Sequence, residues 1–277
     1  MLSTTQRTTY AIRTRSPATN SLRMHTFRSI VLSSIVAGFV VGVIVTVIQH
    51  FGTVPLILKA EIFERAAETH QSNPAAGASG AISDHNHSGH EHGAEAWEPR
   101  EGLERNAYTA AANVLTAIGF ALILAGLFAA RSSATALEVS WHEGLMWGLA
   151  GFAAFTIGPG LGLPPELPGV PTAPLLSRQI WWGMAALATA AGLALIFFRR
   201  TVPASIVGLL LLILPHLIGA PEMDHVETNV PTSLSHQFVV AVTVTSLVFW
   251  SMLGSLTSVT FAYFDRGSLE RDLPSVR

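Results

Sequence analysis

Ile30-Val31-Leu32-Ser33-Ser34-Ile35-Val36-Ala37-Gly38-Phe39-Val40-Val41-Gly42-Val43-Ile44-Val45-Thr46-Val47-Ile48 contains no Asp, Glu, Lys, Arg or Pro. A helix needs about 20 mostly apolar residues to cross the hydrocarbon core of a bilayer, and this run supplies nearly all of them. Stretches free of charge recur at Asn106–Ala130, Gly144–Pro165, Gln179–Phe198, Thr201–Pro221 and Thr228–Phe264. The pattern predicts an all-α integral membrane protein, a bundle of six transmembrane helices with five as the alternative. The expected spans are Ile30–Ile48, Ala107–Ala130, Ala136–Gly158, Gln179–Phe198, Val202–Gly219 and Gln237–Phe264. The third carries Glu138, His142 and Glu143 in its first turns.

Composition agrees with a lipid environment. Only 12% of the 277 residues are charged, against about 25% in soluble domains. The net charge of −2 gives no reason to expect a nucleic-acid partner. There is no cysteine, so any metal must be held by nitrogen and oxygen ligands.

Basic residues set the expected orientation, because they accumulate in cytoplasmic loops. Arg7, Arg13, Arg15, Arg23 and Arg28 precede the first span. Arg131, Arg199, Arg200, Arg266, Arg271 and Arg277 follow the second, fourth and sixth. Six spans put all of these on one side and most of the acid on the other. The expected plan is a cytoplasmic tail at 1–28, a first span at 29–48, an external loop at 49–106, spans two to six at 107–264 and a cytoplasmic tail at 265–277. The Arg-rich start also admits a translation start at Met24, or an organelle transit peptide by composition.

The external loop carries the densest chemistry. Val54–Glu68 reads as a short amphipathic helix with Pro55 in its first turn and Leu58/Ile62 as its apolar pair, lying at the membrane interface or on the bundle. An Ala/Gly/Ser/Pro tether follows, then Asp84-His85-Asn86-His87-Ser88-Gly89-His90-Glu91-His92. Neutral imidazole is the usual ligand of borderline divalent metals. In an extended chain residues two apart point the same way, so His85/His87 and His90/His92 can each chelate one ion. The alternative is a hydrophilic linker that binds metal incidentally.

Further candidates lie at the span ends. His50, His216, Asp224, His225 and His236 fall at the outer mouth, with Asp224-His225 the natural ligand pair. His216 follows Pro215 in an apolar segment, where an ionisable group is costly and therefore a functional candidate. Glu138 and His142 are spaced i, i+4 near the inner face, as an exit site, a proton-coupling pair or an interfacial ion pair. Gly158-Pro159-Gly160-Leu161-Gly162-Leu163-Pro164-Pro165-Glu166-Leu167-Pro168-Gly169 breaks helix entirely. It either dips into the mouth with Glu166 facing the pathway or forms a tight loop. Gly38/Gly42 and Gly144/Gly148 read as helix-packing pairs. Trp181 and Trp182 read as an outer interfacial belt, Trp141 as an inner one. Lys59 is the only lysine, so there is no Walker A motif; HExxH and membrane His boxes are also missing, which argues against an enzyme.

These features in this order resemble the predicted cobalt transporter subunit family CbtA, from about Phe27 to Phe264. The resemblance rests on the first span with its His-rich loop, Trp97-Glu98-Pro99, Gly102-Leu103-Glu104-Arg105 and Trp147-Gly148-Leu149-Ala150-Gly151-Phe152. It continues through the Gly/Pro string, Arg178-Gln179-Ile180-Trp181-Trp182, Pro215-His216-Leu217-Ile218-Gly219-Ala220-Pro221 and Phe249-Trp250. It implies a bacterial inner-membrane protein linked to cobalt uptake and a small single-span His-bearing partner, CbtB-like. The expected function is a subunit of a divalent-metal importer, with Co(2+) favoured over Ni(2+) or Zn(2+). The lipid bilayer is its solvent, and a homo-oligomer is open to it. The alternative is a non-conducting metal-binding accessory or sensor.

Overall fold

The computed structural model describes residues 17–71, 99–100, 102–135, 137–222 and 228–271. Its helices are α1 (Pro17–Gly52), α2 (Val54–Gln71), α3 (Leu103–Thr135), α4 (Trp141–Phe152), α5 (Gly158–Gly160), α6 (Leu175–Ala194), α7 (Val202–Ile218) and α8 (Thr232–Arg271). A π-helical segment, Ala153–Ile157, joins α4 to α5, and a second, Leu195–Arg199, extends α6.

Among the described residues, four helices are long and apolar enough to cross a membrane: Met24–Gly52, Leu103–Thr135, Leu175–Arg199 and Thr232–Arg266. The other two expected spans come out shorter. Val202–Ile218 has 17 residues, about 26 Å at 1.5 Å per residue, a few ångströms under the usual core thickness. The expected Ala136–Gly158 span starts only at Trp141, because Ser140 caps it: its hydroxyl accepts the Glu143 N–H at 3.3 Å. The Gly/Pro string does not break helix where expected. Gly158–Gly160 is still helical, and the irregular backbone begins at Leu161.

Small residues decide which helices touch. A Cβ on Gly38 or Gly42 would stand 2.6 or 2.5 Å from backbone atoms of Ile118 or Val114, so α1 and α3 meet backbone to backbone and run antiparallel. On α4, Gly144 and Gly148 face α8, where a Cβ would meet Gly254 O at 2.4 Å and Trp250 O at 2.2 Å. The GxxxG expectation therefore holds at both pairs. Gly192 and Gly208 close the α6–α7 hairpin in the same way. Lipid supplies no hydrophobic drive between helices, so such close packing is what holds them. At the α1–α8 contact Thr260 donates to the Ser33 carbonyl at 3.4 Å, while the buried Ser258 of α8 faces Gly144 of α4.

The result is a bundle of α1, α3, α4 and α8 around Val41, Leu124, Phe128, Trp250 and Leu253. The α6–α7 hairpin joins it through α5, the neighbouring π segment and α4. The antiparallel contacts put Gly52, Leu103, Gly160, Leu175, Ile218 and Thr232 at one end, here called the distal end. Thr135, Trp141, Arg199 and Val202 lie at the proximal end. Over the distal end α2 forms a cap. Its Ala60 is fully buried with Leu167, Val230, Leu234 and Phe238, and Leu56, Ile57 and Phe63 pack beside it. Leu58 and Ile62, the apolar pair expected at the membrane interface or on the bundle, face away from the bundle. The side that packs is one turn-face round, because the loop and α8 cover Ala60. Gly169, at φ 77°, ends the loop in a left-handed turn, and its backbone abuts Glu64 of the cap.

Packing this tight makes a direct prediction. Gly254→Val should cost about 2–3 kcal/mol by overpacking, since its Cβ would meet the Gly144 carbonyl oxygen at 2.2 Å. Gly126→Ala, with open space around it, should be neutral or stabilising by up to ~1 kcal/mol. Thermal unfolding in detergent compares the two.

Candidate functional site

The expected ligands do not converge among the described residues. His85, His87, His90, His92, Asp224 and His225 lie outside the described residues. His50 is exposed at the end of α1, its ring edge-on to Phe51. His236 is exposed in the first turns of α8. His216 is half-buried near the end of α7, its ring centroid 5.9 Å from that of Trp181. Among the described residues, no three His, Asp or Glu side chains group as a metal site.

Carboxylates within the bundle are already engaged. Glu138 is not on a helical face with His142, because it precedes the Ser140 cap. It takes both Nε and Nη2 of Arg266, the former at 2.8 Å. His142 stacks on Trp141 instead, centroids 3.5 Å apart. Glu143 pairs with Arg131 of α3. An interfacial ion pair therefore replaces the proposed i, i+4 pair. At the distal end Glu166 pairs with Arg178 at the start of α6 rather than standing free, and Glu61 of the cap accepts from Arg105 at 2.8 Å. Arg131–Glu143 ties two helices together, and the other pairs tie a loop or the cap to a helix, so each has a structural partner without a ligand.

Polar side chains inside the helices divide into two sets. Asn113 donates to Thr46 at 3.0 Å and to Gln49 at 2.7 Å, which makes it part of the α1–α3 contact. Thr189, Thr243 and Thr245 bond back to the carbonyls four residues earlier. Of these residues, Thr243 also lines a distal cavity of about 620 Å³, together with Thr156, Arg178, Gln179, Trp182 and Ser246. Trp181 is not in an interfacial belt. It is 5% exposed, packed on Gly162, and no acceptor among the described residues reaches its Nε1. Trp141, half exposed at the proximal end, fits the belt.

A family profile described as "Probable cobalt transporter subunit (CbtA)" matches residues 27–262. The chain belongs to the CbtA family. It is accordingly a multi-pass membrane protein of a cobalt transport family. No match was found among curated proteins or solved structures. CbtA membership fits the resemblance that the Gly/Pro string and His216 segment carry, and those residues form the distal loop and the end of α7 here.

Sequence reasoning missed the cavities and the π segment beside them. The available signal was Pro159, which cannot continue an α-helical ladder; nothing in the sequence shows that α6 stands off from α8 at that depth.

The ion pairs differ in how much they hold. Arg131→Ala strands Glu143, which is 24% exposed, and should cost about 1–2 kcal/mol, between surface and buried limits. Arg100→Ala, at a pair whose arginine is 91% exposed, should change stability by under ~0.5 kcal/mol. Unfolding midpoints at physiological salt check both.

Proposed function

We propose that this chain is the membrane-embedded subunit of a divalent transition-metal importer, with Co(2+) as substrate. The observation that carries this reading is the CbtA match over residues 27–262. Antiparallel helix contacts support six crossings, with α4–α5 and α7 as the two shorter ones. Both termini are then cytoplasmic in the cell inner membrane, and the distal end faces outward.

In this reading the tethered His85, His87, His90 and His92 capture ions outside and raise their local concentration. His216, Asp224 and His225 receive them at the mouth, with His50 and His236 as secondary ligands. Inward movement of a unit charge gains about 2.3 kcal/mol per 100 mV of membrane potential, roughly twice that for a dication. A small single-span His-bearing subunit, CbtB-like, completes the path. The reading of a non-conducting metal-binding accessory is favoured by one observation: the described bundle offers hydroxyls but no grouped metal ligands.

Two tests decide between them. Reporter fusions at Arg131 and Arg200 should read cytoplasmic, and fusions at Ser79 and Asp224 external; an external Arg200 removes the six-span plan. In proteoliposomes with and without the small subunit, deleting Asp84–His92 should weaken uptake mainly at scarce cobalt. His216→Ala should lower maximal uptake at every concentration. Normal uptake in both variants, at normal expression, would favour the accessory reading.

A further inference from the structure

Two cavities lie end to end along the bundle. The distal one, about 620 Å³, reaches from Pro165 and Arg178 down to Ser246 and Phe155. The proximal one, about 640 Å³, reaches from Arg131, Glu143 and Arg200 up to Ala154 and Phe155. Phe155 is the residue common to both linings. Both are clefts open along one side, and each volume exceeds the ~180 Å³ that six waters occupy at ~30 Å³ each.

The wall between them is aromatic. Phe155 stacks on Trp250, centroids 5.4 Å apart at 13°, and meets Phe120 edge-on at 5.1 Å. Trp182 lies 6.1 Å away on the distal side. Trp250 is itself seated against Gly151, where any Cβ would strike its ring at 2.3 Å. Rings from α3, α6, α8 and the π segment thus close on one point. A hydrated divalent cation cannot cross such a cluster without losing water that apolar carbon does not replace.

The backbone at this point is built differently from the rest. Phe155 sits inside the π segment Ala153–Ile157. There the Gly158 N–H bonds the Ala153 carbonyl instead of the Ala154 carbonyl that an α-helix would use. Residue 159 is proline, so the Phe155 carbonyl also has no i+4 donor. Two successive carbonyls at the wall are thereby released from the α-helical ladder. Such carbonyls, in interrupted membrane helices, offer hard oxygen to a cation. A π segment inside an α-helix commonly marks a functional position.

We propose that Phe155 is the gate of the cation path, closed in this structure, and that the path runs along α4–α5, α6 and α8 rather than between α1 and α3. This rests on the transport reading. When the ring swings aside, the Ala154 and Phe155 carbonyls and the Thr156 hydroxyl replace part of the ion's water as it passes from the distal to the proximal cavity.

The chain has no cysteine, so single cysteines report access directly. In sealed vesicles holding the full chain, a charged maleimide should label Thr243→Cys from the distal face and Ala190→Cys from the proximal face. Adding Phe155→Ala should raise labelling of Ala190→Cys from the distal face at least tenfold and speed downhill Co(2+) leak several-fold. Phe155→Leu, a smaller cut, should give an intermediate rise. Retained distal labelling of Thr243→Cys in the Phe155→Ala background reports an intact fold. The proposal is overturned if Ala190→Cys is already labelled from both faces with Phe155 present. Unchanged one-sided labelling in both Phe155 variants overturns it too. Absence of Co(2+) uptake by the unsubstituted chain with its small subunit, alongside the expected labelling, would sink the transport reading while leaving the barrier at Phe155 established.

Discussion

The close approach of α4 to α8 is the contact on which the remaining architecture depends. Gly144, Gly148 and Gly254 leave no room for a side chain between the two backbones. With α4 pressed against it, α8 also contacts α1 and α3 and becomes the central helix. Dispersion between closely packed atoms supplies the stabilisation that a hydrophobic drive cannot supply in lipid. The same contact fixes the height of Gly151, hence of Trp250, hence of the aromatic wall. One run of small residues thus sets both the bundle and the position of its narrowest point.

Charge is kept at the two ends and mostly paired. Arg131–Glu143 and Arg266–Glu138 tie the start of α4 to α3 and α8 at the proximal end. Arg178–Glu166 and Arg105–Glu61 tie the Gly/Pro loop and the cap at the distal end. Between these layers the described polar groups are mainly hydroxyls, with Asn113 bonded to Thr46 and Gln49, and several of the hydroxyls bond back to their own helix. An ion held by such groups would be held loosely, which suits passage better than storage.

The α6–α7 hairpin is attached to the bundle locally. It meets the bundle through α5, the π segment and α4, and both cavities lie beside it. At the Gly158–Thr189 contact a Cβ would stand 2.4 Å from the hydroxyl, so only glycine fits where α6 meets the turn after the π segment.

The sequence by itself determined the helical membrane class, since uncharged apolar runs of bilayer length have few other outcomes. It also determined the small-residue pairs Gly38/Gly42 and Gly144/Gly148, whose i, i+4 spacing places them on one face whatever they meet. It pointed to the CbtA family through the Gly/Pro string and the segment around His216. It marked Glu138 and Glu143 as anomalous, but not their partners, because Arg266 lies more than a hundred residues away in the chain and only helix packing brings it near. The tertiary structure alone decided that Ala60 rather than Leu58/Ile62 is the buried face of α2, because burial depends on what covers a helix as well as on its own periodicity. It alone placed Phe155 between two cavities. Pro159 announces a disturbed ladder, but where the released carbonyls face, and which rings close around them, follows from the seating of α6 and α8 against that turn.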